Sequence, residues 1–208
     1  MPHEYWQVEE PALVELLASP IRQEIVDTLG AAGAPVSAAE LALQLGRHVD
    51  GLYYHLNLLG KAGLVVESVE SPDEVRRYAL PGTGTLALQL AYRTGSAAGR
   101  RALSKFTHAM LKVAQQDFDE ALAMPDVVTS GSGRQLWAAR NKAWLSEEEL
   151  AEANALLRRL CTLMSQPRTP ERRQLLSCAF VLAPHVARPK RRGSEEAQDG
   201  EREDGLQA

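Results

Sequence analysis

Cysteine is nearly absent: Cys161 and Cys178 are the only two in 208 residues. That number fits ordinary reduced thiols and gives no disulfide framework. No run of about twenty apolar residues is present either, so no helix is expected to span a bilayer. The N-terminus carries Glu4, Glu9 and Glu10 without an apolar segment beside them, which is unlike a signal peptide, and a cytoplasmic protein is expected. His3, His48, His55, His108 and His185 are scattered and the cysteines lie far apart, which disfavours a zinc, arsenic or copper site unless one is assembled between subunits. The run Thr129–Gly133 is rich in Ser and Gly but lacks the lysine of a phosphate-binding loop. No nucleophile stands at motif spacing from a base, so neither catalysis nor a cofactor is expected.

What remains is 45% hydrophobic, enough for a core in one large or two small domains. Leu13, Leu16 and Leu17 suggest a short first helix. Ser19 before Pro20 starts a second, carrying Ile21, Ile25 and Leu29 on one face. Ser37 and Glu40 have the spacing of a capping box, so a third helix should open at Ala38, bury Leu41 and Leu45, and end at Gly46. From about Asp50 a fourth helix places Leu52, Leu56 and Leu59 on one stripe until Gly63 stops it. Leu64 to Glu70 reads as a strand, Ser71 to Glu74 as a turn, and Val75 to Leu80 as the return strand.

This order of helix, turn, helix and hairpin, centred on Leu52 to Val65, resembles the winged helix-turn-helix of ArsR-like and MarR-like bacterial transcription regulators. The resemblance covers residues 10–82 and implies a partner, double-stranded DNA, read by the helix that starts near Asp50, with a wing at 71–77. In that arrangement the second helix lies in the major groove while other groups hold the phosphates. The positions it assigns to the DNA face are Arg47, Val49, Asp50, Tyr53 and Tyr54, with Asn57, Lys61, Arg76 and Arg77 in support. Arg76 and Arg77 point to opposite faces of their strand, so at most one should extend directly to a phosphate. Asp50 reads equally as a base contact, accepting from cytosine, or as the N-cap of its helix. His55 lies beside the apolar stripe and is expected to be packed and hydrogen-bonded.

Charge runs against this assignment. Residues 1–84 hold five basic side chains against twelve acidic ones, leaving minus seven, the wrong sign for displacing counterions from DNA. A module that meets only other proteins through its winged helix is therefore the alternative.

After the break at Pro81 to Gly84 the chain turns strongly helical. Thr85 to Arg93 and Ser96 to about Met124 are expected as helices, the latter carrying Leu103, Phe106, Met110 and Val113 at coiled-coil spacing. In related regulators such elements pair two subunits, so the resemblance implies a homodimer. Gln135 to Trp144 reads as a strand or a short helix. Ser146 and Glu149 form a second capping box, opening a helix to about Ser165. The apolar run Leu175 to Leu182 reads as a buried strand. The fold class expected is mainly α with a small β component: a winged helix-turn-helix followed by a helical α+β dimerisation region, 85–184, and a disordered tail, 185–208. Phe106, Trp137, Trp144 and Phe180 could line a pocket for a small organic effector.

Overall fold

A computed structural model describes residues 6–68, 75–82, 88–90, 92, 94–166 and 168–185. In chain order the elements are β1 (Trp6–Val8), α1 (Pro11–Leu17), α2 (Pro20–Ala32), β2 (Val36–Ser37), α3 (Ala38–Gln44), α4 (Val49–Lys61), β3 (Val66–Ser68), β4 (Arg77–Ala79), β5 (Leu88–Leu90), α5 (Ala97–Leu122) and α6 (Glu147–Met164). The molecule is mostly helical with a small three-stranded sheet.

Local signals set the helix boundaries. Ser37 and Glu40 close the capping box: the serine hydroxyl accepts from Glu40 N–H at 3.2 Å, and the carboxylate accepts from Ser37 N–H at 2.7 Å. After α3 the chain reverses at Gly46 with φ 60°, where Arg47 N–H donates to the Ala42 carbonyl at 2.9 Å. Gly63, φ 70°, does the same for α4, and Leu64 N–H donates to the Leu59 carbonyl at 2.9 Å. Both glycines take the left-handed conformation that an ordinary side chain resists.

The sheet has the order β2-β4-β3, antiparallel throughout, with Ser37 opposite Arg77 and Ser68 opposite Arg77 on its other side. Its strand β2 packs against α3 and β4 against α2. The turn expected at 71–74 lies outside the described residues.

One core unites these elements. Leu17, Ile25, Leu29, Leu41, Leu52, Leu59 and Leu64 are fully buried within it. It does not stop at the break near Pro81. Val8 and Ala102 belong to the same cluster, Leu103 and Phe106 lie against it, and α5 packs on α1 and α2. Gln23, buried on α2, donates from its side chain to the Phe106 carbonyl at 3.1 Å, and Lys105 pairs with Glu15. The coiled-coil spacing of α5 is thus spent in part on its own chain.

Two expectations change. The helix expected over Thr85–Arg93 is, where described, the strand β5, whose backbone runs parallel to β1 with Val8 opposite Leu90. Leu86, Leu88 and Leu90 alternate with Ala87 and Gln89, a period of two that suits a strand better than a helix. The apolar run Leu175–Leu182 forms no strand and is not buried. Gln135–Trp144 has no regular structure either, and without a neighbouring strand the run has no ladder to join. The tail expected from residue 185 falls, from 186 onward, outside the described residues.

Candidate nucleic-acid interface

Helix α4 is held by its apolar stripe. Leu52, Leu56 and Leu59 are buried, which turns the opposite side of the helix to solvent. Stepping about 100° per residue, Asp50, Tyr53, Tyr54, Asn57 and Lys61 fall within an arc of about 100°, with Asn57 near its centre. All five are exposed, Tyr54 to 66% and Tyr53 to 49%. The two tyrosines therefore flank one face instead of both projecting from its middle. Val49 stands at its edge, half-buried against the core, and offers the least of the expected residues to a groove.

The helix begins one residue earlier than its apolar spacing indicated. Its N-cap is His48, whose side chain makes no capping bond, and Asp50 is in the first turn. The capping role for Asp50 is thereby removed, although a carboxylate in a first turn still suits the helix dipole. Lys61 suits the opposite end in the same way.

The arginines expected at this face are engaged with carboxylates. Arg47 donates to Glu24 of α2 at 2.7 Å, Arg76 lies 3.3 Å from Glu67 across the hairpin, and Arg77 lies 3.5 Å from Glu40. Arg77 also donates to the Pro35 carbonyl at 3.0 Å, which fastens the wing to the start of α3. Glu40 is a shared acceptor: its bonds from Ser37, and then Arg77, hold its carboxyl below the usual range. Lys61 has no ion-pair partner among the described residues.

Behind Tyr54 sits a group that sequence reading did not find. Arg22 donates to the Leu16 carbonyl, and burial lowers its pKa. His55 lies between these charges. Its ring meets Tyr54 edge-on at 5.2 Å, and burial, then Arg22 and Arg47, push its pKa down, which favours the neutral ring. The expected hydrogen bond is missing: Nδ1 is buried without a partner among the described residues. Glu24 was hidden because it meets Arg47 only after the turn before α4 has folded back on α2, and Arg22 because its partner is a backbone carbonyl at the end of α1.

Residues 17–68 match the family model described as a helix-turn-helix domain. This part of the chain is a helix-turn-helix domain. The match spans α2 to β3 and so includes α3, the turn and α4. Among solved structures, the chain is similar to MepR of S. aureus in complex with DNA, at 16% identity and a TM-score of 0.22, over 62% of this chain and 65% of that one. It is also similar to a multiple antibiotic-resistance repressor, MarR, of Listeria monocytogenes 4b F2365, at 17% identity and a TM-score of 0.25, over 70% and 74%. No curated protein matches. The domain assignment rests on the 17–68 match and on the geometry of α3 and α4.

The aromatic pocket expected in the second region does not form. Trp144 is wholly exposed, Trp137 largely so and Phe180 to 43%. A groove of about 470 Å³ lies elsewhere, where Ala18 and Pro20 meet Ser104, Lys105, His108 and Lys112 of α5. Among the described residues no three His, Cys, Asp or Glu side chains gather as a metal site, and no helix is long and apolar enough to cross a membrane.

Proposed function

We propose that the protein is a DNA-binding transcriptional regulator of the winged helix-turn-helix kind, working in the cytoplasm as a homodimer on an inverted-repeat operator, and that it is a binding protein without catalytic activity. The observation that carries this reading is the free face of α4: five polar or aromatic side chains on one arc, on a helix whose other side is locked into the core. Such a helix can enter a major groove as a rigid body.

In this reading Asp50, Tyr53, Tyr54 and Asn57 meet base edges, and Lys61 meets a phosphate. Arg47, Arg76 and Arg77 reach phosphates by exchanging carboxylate partners, and Val49 lines the margin. The ArsR-like subfamily is the finer assignment that the helix-turn-helix and hairpin order supports. An effector, where one acts, is a small organic molecule.

A second reading draws on the same three ion pairs and on the acidic balance of residues 1–84: the winged helix docks on another protein and never on specific DNA. Selection of genomic fragments by the purified protein, followed by fluorescence anisotropy on the best fragment at two salt concentrations, separates the two. A bound inverted repeat whose affinity falls steeply with salt establishes the regulator. No enriched fragment at either salt favours the protein-docking reading.

A further inference from the structure

Four of the five basic side chains in residues 1–84 already have a place: Arg47, Arg76 and Arg77 against carboxylates, and Lys61 on the open arc of α4. The fifth is Arg22, in the first turn of α2. Among the described residues it has no carboxylate partner. Its Nε donates to the Leu16 carbonyl of α1, which uses one of its five N–H donors. The two Nη groups make no bond among the described residues and are not closed off from solvent. Burial, which lowers its pKa, leaves this charge partly stripped of water and without an anion beside it.

Anchoring changes what such a fork can do. A free arginine gives up much of its rotamer freedom when it grips an anion, whereas a side chain tied at Nε has given up most of it in folding. The two Nη groups then match two oxygens of one phosphate, the bidentate geometry in which arginine pairs are strong.

The place of the fork beside α4 names the source of that phosphate. Tyr53 and Tyr54 mark opposite margins of the exposed arc, about 100° apart. Tyr53 faces the wing, since it and Arg76 both act electrostatically on Tyr78 of β4. Tyr54 faces α2: it acts on Arg22, and Arg22 acts in turn on the His55 ring that meets Tyr54 edge-on at 5.2 Å. A helix in the major groove has a phosphate backbone beyond each margin. The wing serves one. At the other, Arg47 is engaged by Glu24 before α4 begins, and Lys61 stands about 10 Å further along the helix than Tyr54. Arg22 stands between them.

We propose that Arg22 is a DNA-contacting residue whose two Nη groups clasp one backbone phosphate beside the base step that Tyr54 meets, with the Leu16 carbonyl fixing the fork. The inference rests on the regulator reading and deepens it. It extends the DNA surface from α4 onto the first turn of α2 and gives the margin away from the wing its own anchor.

Anisotropy tests it on the fragment that genomic selection returns, prepared as duplexes in which one phosphate of each half-site at a time is an uncharged methylphosphonate. The wild type is expected to lose affinity roughly tenfold at one phosphate, flanking the base step whose sequence preference Tyr54→Ala relaxes. Arg22→Ala should be indifferent to that replacement, keep the wild-type response at every other phosphate, and show a salt slope lower by about one. Arg22→Gln, neutral but still able to donate to Leu16, should give the same profile, which separates lost charge from lost packing. Arg22→Lys, a point charge without the fork, should recover the slope and only part of the affinity. A phosphate profile of Arg22→Ala or Arg22→Gln identical with that of the wild type overturns the proposal and leaves the regulator reading intact. A wild type that retains no fragment overturns both.

Discussion

Helices α4 and α6, of 13 and 18 residues, are both amphipathic, but α4 buries Leu52, Leu56 and Leu59 whereas α6 has no buried residue. Their starts differ in the reverse sense. The helix packed into the core has an N-cap without a side-chain bond, while α6 begins with a complete capping box: Ser146 accepts from Glu149 N–H at 3.2 Å and Glu149 accepts from Ser146 N–H at 2.8 Å. Tertiary burial can thus hold a helix whose local signals are weak. A helix without burial depends on its caps, because isolated helices of this length are marginal in water.

That contrast can be broken most sharply in the core. Leu56→Ala should cost about 2–5 kcal/mol of unfolding free energy. At dilution, where any pairing between copies is absent, Leu156→Ala on α6 should stay within about 0.5 kcal/mol. Urea titration of both variants, followed by circular dichroism, checks the pair, and equal losses would show that α6 packs as firmly as α4.

Next come the exposed faces. Tyr54→Ala should weaken operator binding by about 1–3 kcal/mol without altering the melting temperature, if Tyr54 reads a base. Lys61→Ala should weaken all sequences alike and lower the salt slope by about one. Anisotropy titrations at several salt concentrations distinguish the two. Arg77→Ala should weaken operator binding as well, and its ties to Pro35 and Glu40 predict some loss of wing stability beside it. Unchanged affinity for both Tyr54→Ala and Arg77→Ala would move the DNA surface elsewhere.

Ser146→Ala should cost α6 about 1 kcal/mol of helix stability, read as lost helical signal in the full chain at dilution. Ser37→Ala removes the equivalent hydroxyl from α3, but that helix keeps buried Leu41 and Ala42. Its helical signal should persist while the melting temperature falls.

The smallest effect is one of pH. Asp27 of α2 keeps an exposed side chain, but desolvation by the surrounding protein, then Asp117 of α5 and Glu24, push its pKa up to about 6. A carboxyl raised from 3.8 holds its proton more tightly in the folded chain. Its contribution therefore weakens the fold as pH rises from about 4 to 6. Asp27→Asn should flatten that part of the curve of melting temperature against pH and stabilise the protein at neutral pH.

Much of the helix-turn-helix was legible because its determinants are local. The Ser37–Glu40 spacing, the glycines at 46 and 63, and the leucines of α4 each act within a few residues. What escaped depends on pairing across the chain. Leu175–Leu182 has strand-like composition but no ladder to join, and β5 exists because β1 runs beside it. The site divides in the same way. The exposed arc of α4 follows from periodicity, but nothing near Arg47 in sequence signals that Glu24 will hold it, and Val49 lost its outward position to the core.

Those arginine pairs change what salt does to the proposed complex. When a phosphate takes Arg47 from Glu24, one ion pair replaces another, and the freed carboxylate gathers a cation from solution as the phosphate releases one. The net release of ions is then smaller than a count of arginines suggests. Rising salt also loosens the internal pairs, partly offsetting its screening of the DNA. Affinity governed by exchange falls less steeply with ionic strength than affinity governed by attraction alone, so Glu24→Gln should both tighten binding at low salt and make it more salt-sensitive.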